Sequence, residues 1–284
     1  MDQRIIDLYD DYTHRPLARR VFLERLAGLA GSAAAAQAAL ALLECDYARA
    51  EIVPEGDARI SAGSFDLGAV KGYMALPKGM DPASASQVVV VIHENRGLNP
   101  HIKDVARHVA SEGLFAFAPD FLSALGGTPA NEDAARDAFA KLKLADAVEM
   151  AKGIVASFKA RNARIKIGAV GFCWGGGMVN QLAANAPDLA AGVAYYGIAP
   201  APEAVAAIKA RMMMHYGALD QRVNATMPGY EAALKAAHVD YQMFVYEGAN
   251  HAFNNDASAE RYNEAAAKLA WGRTIGFLKQ TLSA

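Results

Sequence analysis

Apolar residues along this chain come in short runs separated by amphipathic stretches, and that alternation sets the expected architecture. Gln87-Val88-Val89-Val90-Val91-Ile92-His93 is continuous, largely β-branched and too short for a helix, which predicts a central strand buried on both faces. Positions 59–65 and 69–76 flank a turn at Asp66-Leu67-Gly68 and predict a strand pair. Further strands are expected at 114–118, 165–170, 192–196, 211–216 and 241–246. Helical spacing falls between them. It covers 99–112, closed by Gly113, then 133–161 in two pieces, 178–186, 226–237 and 258–282, the last with Trp271, Ile275 and Leu278 at core spacing. Strand alternating with helix predicts an α/β domain from about Ile52 onward, with a mostly parallel sheet covered by helices on both faces.

The first fifty residues read differently, and a boundary is expected between 1–50 and 51–284. A polar, charged stretch leads to Arg19-Arg20-Val21-Phe22-Leu23, an uncharged Ala-rich run follows at 26–43, and Ala48-Arg49-Ala50 has the small-x-small look of a cleavage site. One reading is a twin-arginine export signal, which would send the protein to the periplasm. The other is an amphipathic helical arm that packs on the body or joins two copies as a homodimer, in a protein that stays in the cytoplasm. Glu24 and Arg25 interrupt the signal pattern, and this favours the arm. The run is too Ala-rich for a stable membrane span.

Composition narrows the function. The 284 residues carry a net charge of only −2 and are 53% apolar, which argues against disorder and against a nucleic-acid surface. Cys45 and Cys173 are the only cysteines, and the seven histidines are scattered; neither shows a disulfide framework or metal-ligand spacing, so no metal and no cofactor is expected.

The candidate chemistry starts at Gly171-Phe172-Cys173-Trp174-Gly175-Gly176, which joins an expected strand to an expected helix. This is the nucleophile-elbow pattern with Cys in place of Ser. Glycines suit it because the turn residue is strained and neighbouring Cβ atoms would collide. A buried, inert Cys would fit the hexapeptide equally well. In an open α/β sheet, however, sites gather at the carboxyl ends of strands. Asp220 follows one such end in Gly217-Ala218-Leu219-Asp220, and His251 follows another in Gly248-Ala249-Asn250-His251. Nucleophile, acid, histidine is the α/β-hydrolase order. Taken singly, Asp220 could cap a turn and His251 could be a polar loop residue. Glu94 follows the central strand directly, where a carboxylate needs a partner or a task; Arg96 is the local candidate partner.

Together the Gly-Phe-Cys-Trp-Gly-Gly elbow, Glu94, Asp220 and the late Asn-His-x-Phe resemble the dienelactone hydrolases over about residues 55–282. The resemblance implies an α/β-hydrolase fold and a Cys-His-Asp triad that cleaves esters or lactones through a thioester. It implies Cys173 as nucleophile, His251 as base and then acid, and Asp220 as the group fixing its tautomer. It further implies that Glu94 helps deprotonate Cys173, and that the backbone N–H groups of Trp174 and Asn95 form the oxyanion hole. Two arginines that hold a substrate carboxylate in the family fall at Ala124 and Asn255 here. The substrate is therefore expected to be a small molecule, neutral or less charged than a dienelactone, unless Arg96 or Arg222 substitutes. The rival readings are a ligand-binding protein on the same scaffold and a thiol sensor pairing Cys173 with Cys45.

Overall fold

The computed structural model describes residues 1–15, 17–46 and 51–283. Three helices come first: α1 (Gln3–His14), α2 (Arg19–Ala30) and α3 (Ala33–Leu43). The body then runs β1 (Ile60–Ser64), β2 (Gly72–Pro77), β3 (Gln87–Ile92), α4 (Pro100–Ser111), β4 (Ala116–Pro119), α5 (Glu132–Phe139), α6 (Leu144–Arg161), β5 (Lys166–Phe172) and α7 (Trp174–Asn185). It closes with β6 (Leu189–Tyr195), β7 (Arg211–Gly217), α8 (Gln221–Asn224), α9 (Met227–Ala236), β8 (Tyr241–Tyr246) and α10 (Glu264–Ser283).

The eight strands form one sheet in the order β1-β2-β4-β3-β5-β6-β7-β8. β1 and β2 pair antiparallel, as do β2 and β4, and every pairing from β4 to β8 is parallel. β3 shows why its sequence has no polar alternation. Val88, Val90 and Ile92 enter the core on one face, and Val89 and Val91 enter the core on the other. Side chains alternate across a strand, so a strand covered on both faces must be apolar throughout. α6, α7 and α9 pack on the first face; α4 and α10 pack on the second.

Two helix starts lie furthest from those expected. The helix after the elbow begins at Trp174 rather than 178, because packing of the first turn overrides the poor helix propensity of Gly175, Gly176 and Gly177. The last helix begins at Glu264 rather than 258. Residues 258–263 form turns, and the Asn263 side chain caps the helix by accepting from the Ala266 N–H at 3.1 Å.

The N-terminal helices have a small core of their own. Ile5, Ile6, Tyr9 and Tyr12 on one stripe of α1 meet Phe22 and Leu26 of α2 and Leu40 and Leu43 of α3. Gly31 ends α2 at φ 84°, and Ser32 caps α3 by accepting from the Ala35 N–H. Of the arginine pair, Arg19 meets Asp133 of the body at 2.8 Å, whereas Arg20 lies in solvent beside Glu24. Among the described residues no single helix is long and apolar enough to cross a membrane; α2 and α3 reach that length only together and are bent by 108°. Ala48-Arg49-Ala50 lies outside the described residues.

Candidate active site

β5 ends at Phe172, and Cys173 turns the chain into α7 at φ 55°, ψ −115°. A residue with a side chain pays for that conformation in strain, which must be supplied by its surroundings. Here the surroundings are backbone. A Cβ on Gly171 would lie 2.1 Å from the Gly175 carbonyl oxygen, and one on Gly175 would lie 2.3 Å from the Ile92 carbonyl oxygen. Only glycine lets β5, α7 and β3 close this tightly. Tyr196 (φ 38°) and Ala252 (φ 62°) are also left-handed and also follow strand ends at the site, so three chain segments are strained around one point.

Asp220 and His251 meet there. Asp220 Oδ2 accepts from His251 Nδ1 at 2.5 Å, while Oδ1 accepts from the Val223 N–H at 3.1 Å and caps α8. The turn-capping role and the histidine-orienting role are thus carried by different oxygens of one carboxylate. Both residues are buried. Burial works against the imidazolium of His251, but Asp220 above all, with Cys173 and Asp10, outweighs it, and its pKa rises to about 10. Burial likewise opposes charge on Asp220, yet His251 and the Val223 N–H hold its pKa below the usual carboxylate value. His251 Nε2 is buried and has no hydrogen-bond partner among the described residues.

A residue absent from the expected site completes the group. His14, the last residue of α1, sets Nε2 2.9 Å from Cys173 Sγ, and its ring meets that of His251 edge to face at 4.7 Å. Burial, the facing charge of His251 and that of Arg222 push the His14 pKa well below the ordinary histidine value. Sγ of Cys173 and one ring nitrogen from each histidine all lie within 4.8 Å of one another. A thiol with two imidazoles could hold a soft divalent cation, and no spacing in the sequence announces it. Nothing in sequence pairs His14 with the elbow either, since it closes an amphipathic helix in a segment that looks like a leader.

Glu94 is buried, but its partner is not Arg96. Glu94 Oε2 accepts from Asn255 Nδ2 at 2.9 Å, whereas Arg96 lies 4.0 Å from Glu132. Asn255 stands where the resemblance would put an arginine. Ala124 sits in a short turn at Ser123–Leu125. Trp174 opens α7 with its indole against Phe139 (4.8 Å) and Phe121 (5.3 Å). Asn95 donates its side-chain amide to the Thr13 carbonyl at 2.7 Å.

Cys173 opens onto a cavity of about 690 Å³ whose lining is mainly apolar. Trp174, Phe139, Met178 and Ile198 come from the body, and Tyr12, His14 and Leu17 come from the N-terminal segment. Among the described residues, Arg15, Arg136 and Arg222 are the cations on its wall. A much smaller pocket of about 30 Å³ lies behind the nucleophile and holds Glu94, Cys45 and Arg261. The larger cavity suits one small-molecule ligand.

The sequence profile of the dienelactone hydrolase family matches residues 70–282. A protein named as a carboxymethylenebutenolidase from Saccharolobus solfataricus is 30% identical over 249 residues, covering 74% of this chain and 94% of its own. One of the same name from Salmonella typhimurium is 32% identical over 246 residues, covering 79% and 89%. A crystal structure described as a dienelactone hydrolase from Klebsiella pneumoniae superposes with a TM-score of 0.70 at 28% identity, covering 78% of this chain and 99% of that one. These likenesses agree with the elbow, the sheet order and the cavity, and the chain belongs to the dienelactone hydrolase family, as an α/β-hydrolase acting on esters or lactones.

Proposed function

We propose that this enzyme cleaves a neutral or weakly charged carboxylic ester or lactone through a Cys173 thioester, with His251 as acid–base group and Asp220 as its anchor. The observation that carries the reading is the Asp220–His251 hydrogen bond beside a strained Cys173 at the mouth of an apolar cavity. Asp220 holds the Nδ1–H and turns Nε2 of the His251 imidazolium, whose pKa is raised to about 10, toward the reacting groups. Cys173 heads α7, whose first N–H groups have no intrahelical acceptor and can receive developing negative charge. As the sulfur adds to the carbonyl, the backbone N–H groups of Trp174 and Asn95 receive the oxyanion; each such donor typically contributes about 3 kcal/mol. His251 protonates the departing alkoxide, then draws a proton from the water that cleaves the thioester.

Substrate class follows from the two positions where the resemblance expects arginine. The two arginine positions of the resemblance are Ala124 and an Asn255 already bonded to Glu94, so neither offers a guanidinium to a substrate carboxylate.

The test is turnover of a neutral aryl ester and of a dienelactone by the wild type and by Cys173→Ala. Loss of ester turnover in the variant, with trapping of a thioester on Cys173 in the wild type, supports the reading. Ester turnover that survives Cys173→Ala ends it.

A further inference from the structure

We propose that His14 is a second catalytic imidazole, brought to the site by the N-terminal helices, which exchanges the Cys173 thiol proton while His251 serves the leaving alcohol and the attacking water. The inference rests on Cys173 being the nucleophile and divides the proton transfers of that reaction between two rings.

The hydrogen positions follow from the acceptors. His14 Nδ1 lies 2.8 Å from the Asp10 carbonyl oxygen, which can only accept, so Nδ1 carries the hydrogen. Nε2 then presents a lone pair, and at 2.9 Å from Sγ the hydrogen between them is that of the thiol. His251 also has its Nδ1–H held, by Asp220, but it is an imidazolium whose Nε2–H is left unbonded and faces the same space. Two imidazoles are therefore each fixed by an oxygen at Nδ1, and only one of them already holds the sulfur. Among the described residues, the charged groups around the pair are Asp10 from α1 and Asp220, Arg222, Arg261, Glu94, Arg96 and Glu132 from the body.

The helices that carry His14 are seated on the body at several points. Thr13 O accepts from Asn95, Arg136 stacks 4.3 Å from the Tyr12 ring, and Arg261 lies 5.0 Å from the Tyr9 ring. Leu43 O accepts from Ser258 at 3.1 Å, and Gln3 bonds Asn250, the neighbour of His251, at 2.6 Å. All of these residues before position 70 lie outside the stretch that matches the family.

The steps balance. In acylation the C–S bond forms, the thiol proton moves to His14 Nε2, and the alkoxide leaves with the Nε2 proton of His251. In deacylation His251 takes a proton from water, the C–O bond to the acid forms and the C–S bond breaks. The thiolate then recovers its proton from His14. The sum is ester plus water giving acid plus alcohol, with both rings and the thiol as they began.

Because a thiolate leaves without prior protonation, His14 is needed for acylation and not for thioester hydrolysis. His14→Gln keeps a side chain of similar length without a base. Rapid mixing with a neutral aryl ester should show thioester formation about 100-fold slower and thioester decay within about threefold of wild type. His14→Ala should recover acylation when free imidazole is added, an effect that a merely structural role does not give. Unchanged acylation in His14→Gln overturns the proposal, as does a His14→Ala protein with the wild-type unfolding midpoint that imidazole fails to accelerate. If Cys173→Ala still turns over ester, the nucleophile reading itself has failed, and that result is separate from either His14 outcome.

Discussion

Asn255 donates from Nδ2 to Oε2 of Glu94, and both side chains are buried. The amide cannot be turned round, because its Oδ1 already accepts from the Ala257 N–H at 3.1 Å. Glu94 is thus tied to Asn255 while the sulfur of Cys173 is tied to His14. Asn255→Ala would strand the carboxylate without its donor, and a stability loss of about 1–3 kcal/mol is expected in urea unfolding. Glu94→Gln should keep kcat/KM within about tenfold of wild type, since the thiol proton is assigned elsewhere. A larger loss would return the deprotonating role to Glu94.

The two oxygens of Asp220 have separate tasks, so Asp220→Asn should separate them. The retained oxygen still caps Val223, but an amide NH₂ facing His251 Nδ1 imposes the wrong tautomer. A kcat loss of about 10³–10⁴-fold is expected with little change in the thermal midpoint. A loss under about tenfold would mean that Asp220 only caps α8.

These residues also mark how far the sequence could be read. β3 was legible because a strand buried on both faces has to be apolar at every position, and Val88 to Ile92 are. The elbow was legible because strain at Cys173 admits only glycine at positions 171 and 175. Asp220 and His251 were legible from their place after strand ends. His14 was not, because what brings it to Cys173 is the docking of α1, and docking depends on contacts such as Tyr12–Arg136 that join residues far apart in the chain. The Glu94–Asn255 pair was hidden for the same reason, being 161 positions apart, so the nearer Arg96 was the natural candidate.

Gly171→Ala tests the elbow without touching a reacting atom. The added methyl would meet the Gly175 carbonyl oxygen at 2.1 Å, and backbone cannot rotate away as a side chain can. A loss of about 1–3 kcal/mol in stability is expected. A shift of the elbow by about 1 Å would lower kcat by about 100-fold. Wild-type kcat in a destabilised variant would show that the elbow geometry tolerates the displacement.

Acid should unfold the protein partly through His215. Its ring is buried between Tyr246 Oη (2.9 Å) and Thr274 Oγ1 (3.0 Å), and burial, aided by Arg273, lowers its pKa to about 3. The unfolded chain binds this proton near pH 6.5, so the neutral native ring contributes full stability above that pH and loses it as pH falls toward 3. The slope from this group is about 1.4 kcal/mol per pH unit. Urea unfolding between pH 6.5 and 4 should show it, and His215→Asn, which cannot be protonated there, should have a shallower acid limb. Equal slopes in the two proteins would show that His215 is already charged in the native state.

Arg222 offers the test of substrate charge. It lines the cavity next to Asp220, and its Nε has no hydrogen-bond partner among the described residues. A buried donor of this kind is costly unless a ligand satisfies it, and a carboxylate would do so best. Arg136, with an equally unpartnered Nη1, is half-turned to the Tyr12 ring and is less free to move. For an ester without charge the guanidinium has nothing to pair with, so Arg222→Ala should leave kcat/KM for a neutral aryl ester within about twofold. For a carboxylate-bearing lactone the same variant should raise KM by about tenfold or more, the loss of one charge-assisted hydrogen bond. If the wild type uses the lactone well and Arg222→Ala does not, Arg222 has taken over from the arginines absent at 124 and 255, and the preference for neutral substrates is wrong. If the lactone is poorly used by both proteins and the neutral ester well used by both, the apolar wall governs selection and Arg222 is a bystander.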